Sequence, residues 1–173
     1  MRPKQAAAPA TNADRFDVAN RLFFRLYQSS NLMHKNGTRA VSGFGSTTQQ
    51  WAVLGALARP RVRKDGMNVK ELIAFLMVSR QNLAAVLDRL EARGWIEKIK
   101  DAADGRARRS RLTVKGIAIW DDMLVAIGDF YEAALADFSN EEQLLLYRML
   151  DRLKDGLGAL NPGDDDAAQP DEG

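Results

Sequence analysis

Apolar residues recur at three- and four-residue spacing through most of this chain, and the breaks in that rhythm define its elements. Ala19, Leu22, Phe23, Leu26, Ser30 and Met33 keep the helical repeat with Arg21, Arg25 and Gln28 between them, so 14–36 reads as a long helix that Gly37 is expected to close. The stretch 41–46, with Gly43 and Gly45, reads as a loop. Thr47 then caps a short apolar helix through Gln50, Trp51, Leu54, Leu57 and Ala58, stopped by Pro60. After a basic connector over 61–66, Asn68 and Glu71 have capping-box spacing and open a helix over 69–75. Only Leu76, Met77 and Val78 precede Ser79, a second good N-cap. It opens a helix with Leu83, Val86, Leu87 and Leu90 on one stripe, ending at Gly94. The pattern is helix, tight turn, helix.

From Trp95 to Lys100 the period changes to two, the mark of a half-buried strand, and 110–114 can be its antiparallel partner. Asp104-Gly105 between them is a favoured turn pair, and the loop 101–109 gathers Arg106, Arg108 and Arg109 at a projecting tip. Helical spacing returns over 115–136 through Ile117, Trp120, Leu124, Ile127, Tyr131 and Leu135. Ser139 and Glu142 form a further capping box before Leu146, Met149, Leu153, Leu157 and Leu160. The expected fold is mainly α with a small β-hairpin, a winged helix-turn-helix between long helices. The Asp-rich segment 162–173 and the first 13 residues are expected to lie outside it.

Composition narrows the chemistry. The 173 residues include no Cys and a single His, His34, so disulfides, thiolate catalysis and the usual zinc ligand sets are not expected. No signal-peptide core or membrane-length apolar run is present, which suits a cytoplasmic protein with no membrane partner. The net charge of +2 conceals an asymmetry, because the tail 162–173 holds five carboxylates while 59–115 holds fifteen Lys and Arg against seven Asp and Glu. A basic central module is a footprint for phosphate binding, although a solvated basic surface has the same composition. No Gly-rich phosphate loop follows a strand, and no nucleophile pairs with His34, so an enzyme is not expected.

With about 100° per residue, the face of the second paired helix opposite its apolar stripe carries Gln81, Ala84, Ala85 and Asp88, flanked by Arg80 and Asn82. A helix-turn-helix sets the first turn of its second helix against base edges in the major groove of double-stranded DNA, which needs polar groups without bulk behind them. Ser79, Arg80, Gln81, Asn82 and the small Ala85 meet that need, and Lys70 in the preceding helix joins the DNA-binding set. An exposed amphipathic helix with no reading role would look similar. The Arg-bearing hairpin tips the balance, since Arg106 suits a narrow minor groove while Arg108 and Arg109, with Lys98, Lys100 and Arg111, would add phosphate contacts. A winged helix used for protein contacts is the alternative.

These residues resemble the MarR family of bacterial transcriptional regulators over nearly the whole of 14–160. The resemblance rests on Val78-Ser79-Arg80-Gln81-Asn82, on 87–94 (LDRLEARG), on 101–106 (DAADGR) and on 112–116 (LTVKG). It implies a homodimer on an inverted-repeat operator, with Arg106 at the wing tip and Asp104 holding the wing's geometry. It divides the chain into dimerisation segments at 14–46 and 115–161 around a DNA-binding module at 47–114, and makes repression relieved by a ligand the default. Similar proteins often bind a small aromatic acid between the dimer helices and the winged helix. Phe23, Tyr27, Asn31, His34 and Trp51 are the candidates here, each with a core or interface role as the alternative. The segment 47–57 also looks like the branch that controls aromatic-acid catabolism, where the effector can be an acyl-CoA. Arg39 and Arg63, with Arg59 and Arg61, could then meet the CoA phosphates, although the connector arginines suit DNA or water equally well. No cofactor is expected.

Overall fold

The computed structural model describes residues 12–101 and 107–160. In chain order the elements are α1 (Asn12–Ala40), a 3-10 turn (Ser42–Phe44), α2 (Thr48–Ala58), β1 (Met67–Asn68), α3 (Val69–Leu76), α4 (Arg80–Ala92), β2 (Ile96–Lys100), β3 (Arg108–Leu112), α5 (Val114–Ala134) and α6 (Asn140–Gly158). They divide into two compact units, 1–130 and 131–173.

The side-chain caps read from sequence form as expected. Thr47 accepts from the Gln50 amide, Ser79 from the Asn82 amide, and both Asn68/Glu71 and Ser139/Glu142 close reciprocal capping boxes. The amide and hydroxyl of Ser139 donating to Glu142 hold its carboxyl below its ordinary pKa. Gly37 does not close α1: it lies inside a helix that continues to Ala40, and it is buried. A Cβ there would stand 2.6 Å from the Thr48 methyl and 3.0 Å from the Trp51 ring, so the glycine serves the close approach of α2.

Unit 1 holds the core. Leu54 and Leu57 of α2, Leu72 of α3, Leu83 and Leu90 of α4, Ile96 of β2 and Met123 of α5 are fully buried around it, closed by Trp95 and Val41. The sheet has three antiparallel strands in the order β1-β3-β2, one more than expected. β1 pairs Met67 with Ser110 and Asn68 with Arg109, and two residues are too few to show alternation in sequence. The expected second strand also shifts: β3 runs from Arg108 to Leu112, and Val114 belongs to α5. Thr113 explains this boundary, since its hydroxyl accepts from the Gly116 amide as a helix cap does and donates to the Gly94 carbonyl.

In unit 2, α6 lies between its Ser139 cap and Ala159, with Leu144, Leu145, Leu146, Tyr147, Met149, Leu150 and Leu157 exposed along it. Among the described residues, no helix is long and apolar enough to cross a membrane.

Candidate nucleic-acid interface

α3 and α4 are joined by the turn Met77–Ser79, and Met77 makes it possible. It caps α3 in the left-handed region at φ 54°, unusual for a side chain of its size, and its amide donates to the Ile73 carbonyl at 2.8 Å. α4 then buries Leu83, Val86, Leu87 and Leu90 and turns its other face outward. Arg80, Gln81, Asn82, Ala84, Ala85 and Asp88 are exposed, as is Lys70 in the first turn of α3. A polar first turn followed by small side chains is what a helix needs to enter a major groove. Ser79 accepts from the Asn82 amide at 3.3 Å, which leaves its hydroxyl proton to donate to a phosphate.

The two-stranded arm after α4 is registered from Ile96↔Leu112 to Lys100↔Arg108. Its cations divide into two sets. Arg108 and Lys100 are exposed at the outer end, whereas Lys98 reaches Glu91 at 2.6 Å and Arg111 reaches Glu97 at 2.8 Å. The Glu91 hydrogen bond raises the Lys98 pKa. Arg109, expected on phosphate, is turned inward instead. Nε donates to the Asp65 carbonyl at 2.9 Å, one terminal nitrogen to Gly66 O and Glu71 Oε2 at 2.8 Å each, and the other to Asp101 Oδ2 at 2.9 Å. Its pKa is raised, chiefly by the Asp101 hydrogen bond. With its donors committed internally, Arg109 is a structural joint of the wing. Asp104, Gly105 and Arg106 lie outside the described residues.

Beside the helix pair is a cavity of about 510 Å³. Met33 and His34 of α1, Thr48, Gln49, Trp51 and Ala52 of α2, Met77 and Val78 of the turn, and Asn82, Leu83 and Val86 of α4 lie on its walls. It therefore brings together two of the expected effector residues, His34 and Trp51. His34 Nδ1 lies 2.9 Å from Thr48 Oγ1, whose amide donates to Thr38 Oγ1, and Trp51 meets Phe130 edge to face with ring centroids 6.0 Å apart. Phe23, Tyr27 and Asn31 are exposed further back on α1 and do not line it; Arg39 and Arg63 are exposed elsewhere. Met33, Thr48, Gln49 and Met77 also line the cavity and are not among the residues expected from sequence. Their only signal is adjacency in sequence to residues already singled out.

The MarR family profile matches residues 44–107, which span α2, the helix pair and the start of the wing. The transcriptional activatory protein BadR of Rhodopseudomonas palustris is 42% identical over 165 residues, covering 94% of both chains. The chain belongs to the MarR family. A solved probable transcriptional regulator from Pseudomonas aeruginosa, 27% identical, superposes with a TM-score of 0.69 over 79% of this chain and 98% of that one. MepR of S. aureus, solved as a DNA complex, shares the fold at 21% identity with a TM-score of 0.66, over 78% and 94% of the two chains.

As a MarR-type transcriptional regulator, the chain has relatives that are named for regulation and not for catalysis. The two neighbouring arginines differ in their surroundings: Arg108 is exposed at the outer end of the arm, and Arg109, one residue inward, is tied to the connector and α3. No hydrophobic period or motif spacing separates these neighbours. What separates them is that Arg109 pairs in register with Asn68, an alignment set by a strand of only two residues.

Proposed function

We propose that the chain acts as a homodimer that reads an inverted-repeat DNA operator and releases or engages it in response to a small aromatic acid or its CoA thioester. The observation that carries the DNA reading is the exposed, polar first turn of α4, backed by Ala84 and Ala85 and set beside an arginine-bearing hairpin. Arg80, Gln81 and Asn82 read bases, Ser79 and Lys70 take phosphates, and Arg106 and Arg108 work from the wing.

A gel-shift series with the DNA upstream of the gene tests this. Six to ten phosphate contacts would cost roughly 10³- to 10⁵-fold in affinity between about 50 and 200 mM salt. Arg106→Ala is expected to weaken binding about tenfold or more. Binding that is absent or insensitive to salt would favour a protein-interaction module instead.

The effector reading is supported by the cavity, whose size suits a small ligand and whose walls combine Trp51 and Val86 with His34, Thr48 and Asn82 as polar partners. Arg39 and Arg63 are not on the walls of this cavity. Only a ligand extending beyond the cavity, such as the thioester, gives those two a role. Calorimetry with p-coumarate and p-coumaroyl-CoA is expected to give heat that Trp51→Ala diminishes, and no heat with either ligand would overturn the aromatic effector. Repression relieved by the ligand is the sign we adopt. BadR is named for activation, and a promoter reporter in a strain lacking the gene decides between them: expression rises under repression and falls under activation.

A further inference from the structure

We propose that two acidic side chains, Glu71 and Asp101, are positioning residues for DNA binding, acting through Arg109; this rests on the DNA reading above. Arg109 is the second residue of β3, the central strand, opposite Asn68 on one side and Ile99 on the other. Its five N–H donors meet five acceptors: the carbonyls of Asp65 and Gly66, both Glu71 oxygens at 2.8 and 3.3 Å, and Asp101 Oδ2. The Arg109 side chain is 20% exposed and that of Asp101 11%, against 42% for Glu71, so the Asp101 end of the joint is shielded more than a surface ion pair is.

The five acceptors come from three separate segments of the chain. Asp101 directly follows the last residue of β2, at the outer end of the arm. Glu71 is in the first turn of α3, and its Oε2, one of the two oxygens that meet Arg109, also accepts from the Asn68 amide at 2.8 Å. Asp65 and Gly66 end the connector. Gly66, at φ 67°, brings that connector against β3 so closely that a Cβ would stand 2.3 Å from the Ser110 carbonyl oxygen. Beyond the joint, β1 holds the arm by only two registered pairs. A planar fork that bonds all three parts at once sets the angle between the wing and the helix pair, and hence whether both reach one duplex.

Electrostatics gives the test its sign. A carboxylate beside DNA repels phosphate, so neutralising Glu71 or Asp101 would strengthen binding if neither residue had a positioning role. As positioning residues, both must weaken it. Glu71→Gln keeps a capping-box side chain at its position, so the start of α3 survives.

The experiment measures fluorescence anisotropy of an operator duplex with the full chain, at a temperature where circular dichroism shows native helix content. Glu71→Gln and Asp101→Asn are each expected to weaken binding about tenfold, and together by less than the product, because both act through one guanidinium. Arg109→Lys keeps the charge without the fork and is expected to bind as weakly as the acid variants. Unchanged or tighter binding by the acid variants, or wild-type affinity in Arg109→Lys, overturns the proposal. A folded wild-type protein that binds no duplex overturns the DNA reading itself.

Discussion

Gly116→Ala is expected to lower stability by roughly 3 kcal/mol or more, the upper end of what overpacking a tight site costs. Gly116 sits in the first turn of α5, buried, where an added Cβ would stand 1.8 Å from the Trp95 carbonyl oxygen and 2.8 Å from its carbon. Both obstacles are backbone, so no rotamer change relieves them. The same oxygen accepts from the Thr113 amide at 3.1 Å, and the Thr113 hydroxyl caps the Gly116 amide at 3.0 Å. Moving either chain to admit the methyl breaks the seat of α5 at the root of the wing. Trp95, 2% exposed with the Arg93 guanidinium 3.7 Å over its ring, cannot yield outward. Thermal unfolding followed by circular dichroism should show a midpoint about 6–12 °C lower. Gly128→Ala is the control, since its Cβ would meet nothing within 4 Å and a helical alanine should be neutral or stabilising.

These two glycines show where sequence reading stops. Both look like breaks in a helical pattern, yet one is required by a carbonyl that arrives from twenty-one residues earlier in the chain, and the other by nothing nearby. Gly37 was misread for the same reason: its constraint is the Thr48 methyl on another helix, and a local pattern records only local causes. The caps were legible because each is closed within three residues, as at Ser79 and Asn68. The apolar stripe of α4 was legible because periodicity is a direct trace of burial, and its exposed reading face followed as the complement. Arg109 was not legible. Its partners lie 8, 38, 43 and 44 residues away, and only the strand register brings them together. The cavity was half legible, through His34 and Trp51, because its remaining wall is built by the left-handed Met77 turn.

Leu150→Asp is expected to raise the dissociation constant of the homodimer by about a thousandfold and, with it, to remove tight binding to the full inverted repeat. In the single chain, α6 leaves Leu146, Met149, Leu150 and Leu157 exposed, and α1 separately leaves Leu22, Phe23 and Phe24 exposed. Apolar surface on this scale marks an interface, which in the proposed homodimer the same surface of a second copy would cover. Burying one leucine contributes about 1.5–3 kcal/mol, and two-fold symmetry counts each substitution twice. Two buried carboxylates without partners add a further cost, so a total above about 4 kcal/mol corresponds to three decades in affinity. Sedimentation velocity across a concentration series reads the shift directly. The DNA consequence follows from geometry: one reading head makes half of the base and phosphate contacts, so a monomer should bind a half-site and the full repeat with similar, weak affinity. A Leu150→Asp protein that stays dimeric at wild-type concentrations would place the interface elsewhere, and α6 would then need another partner for its apolar face.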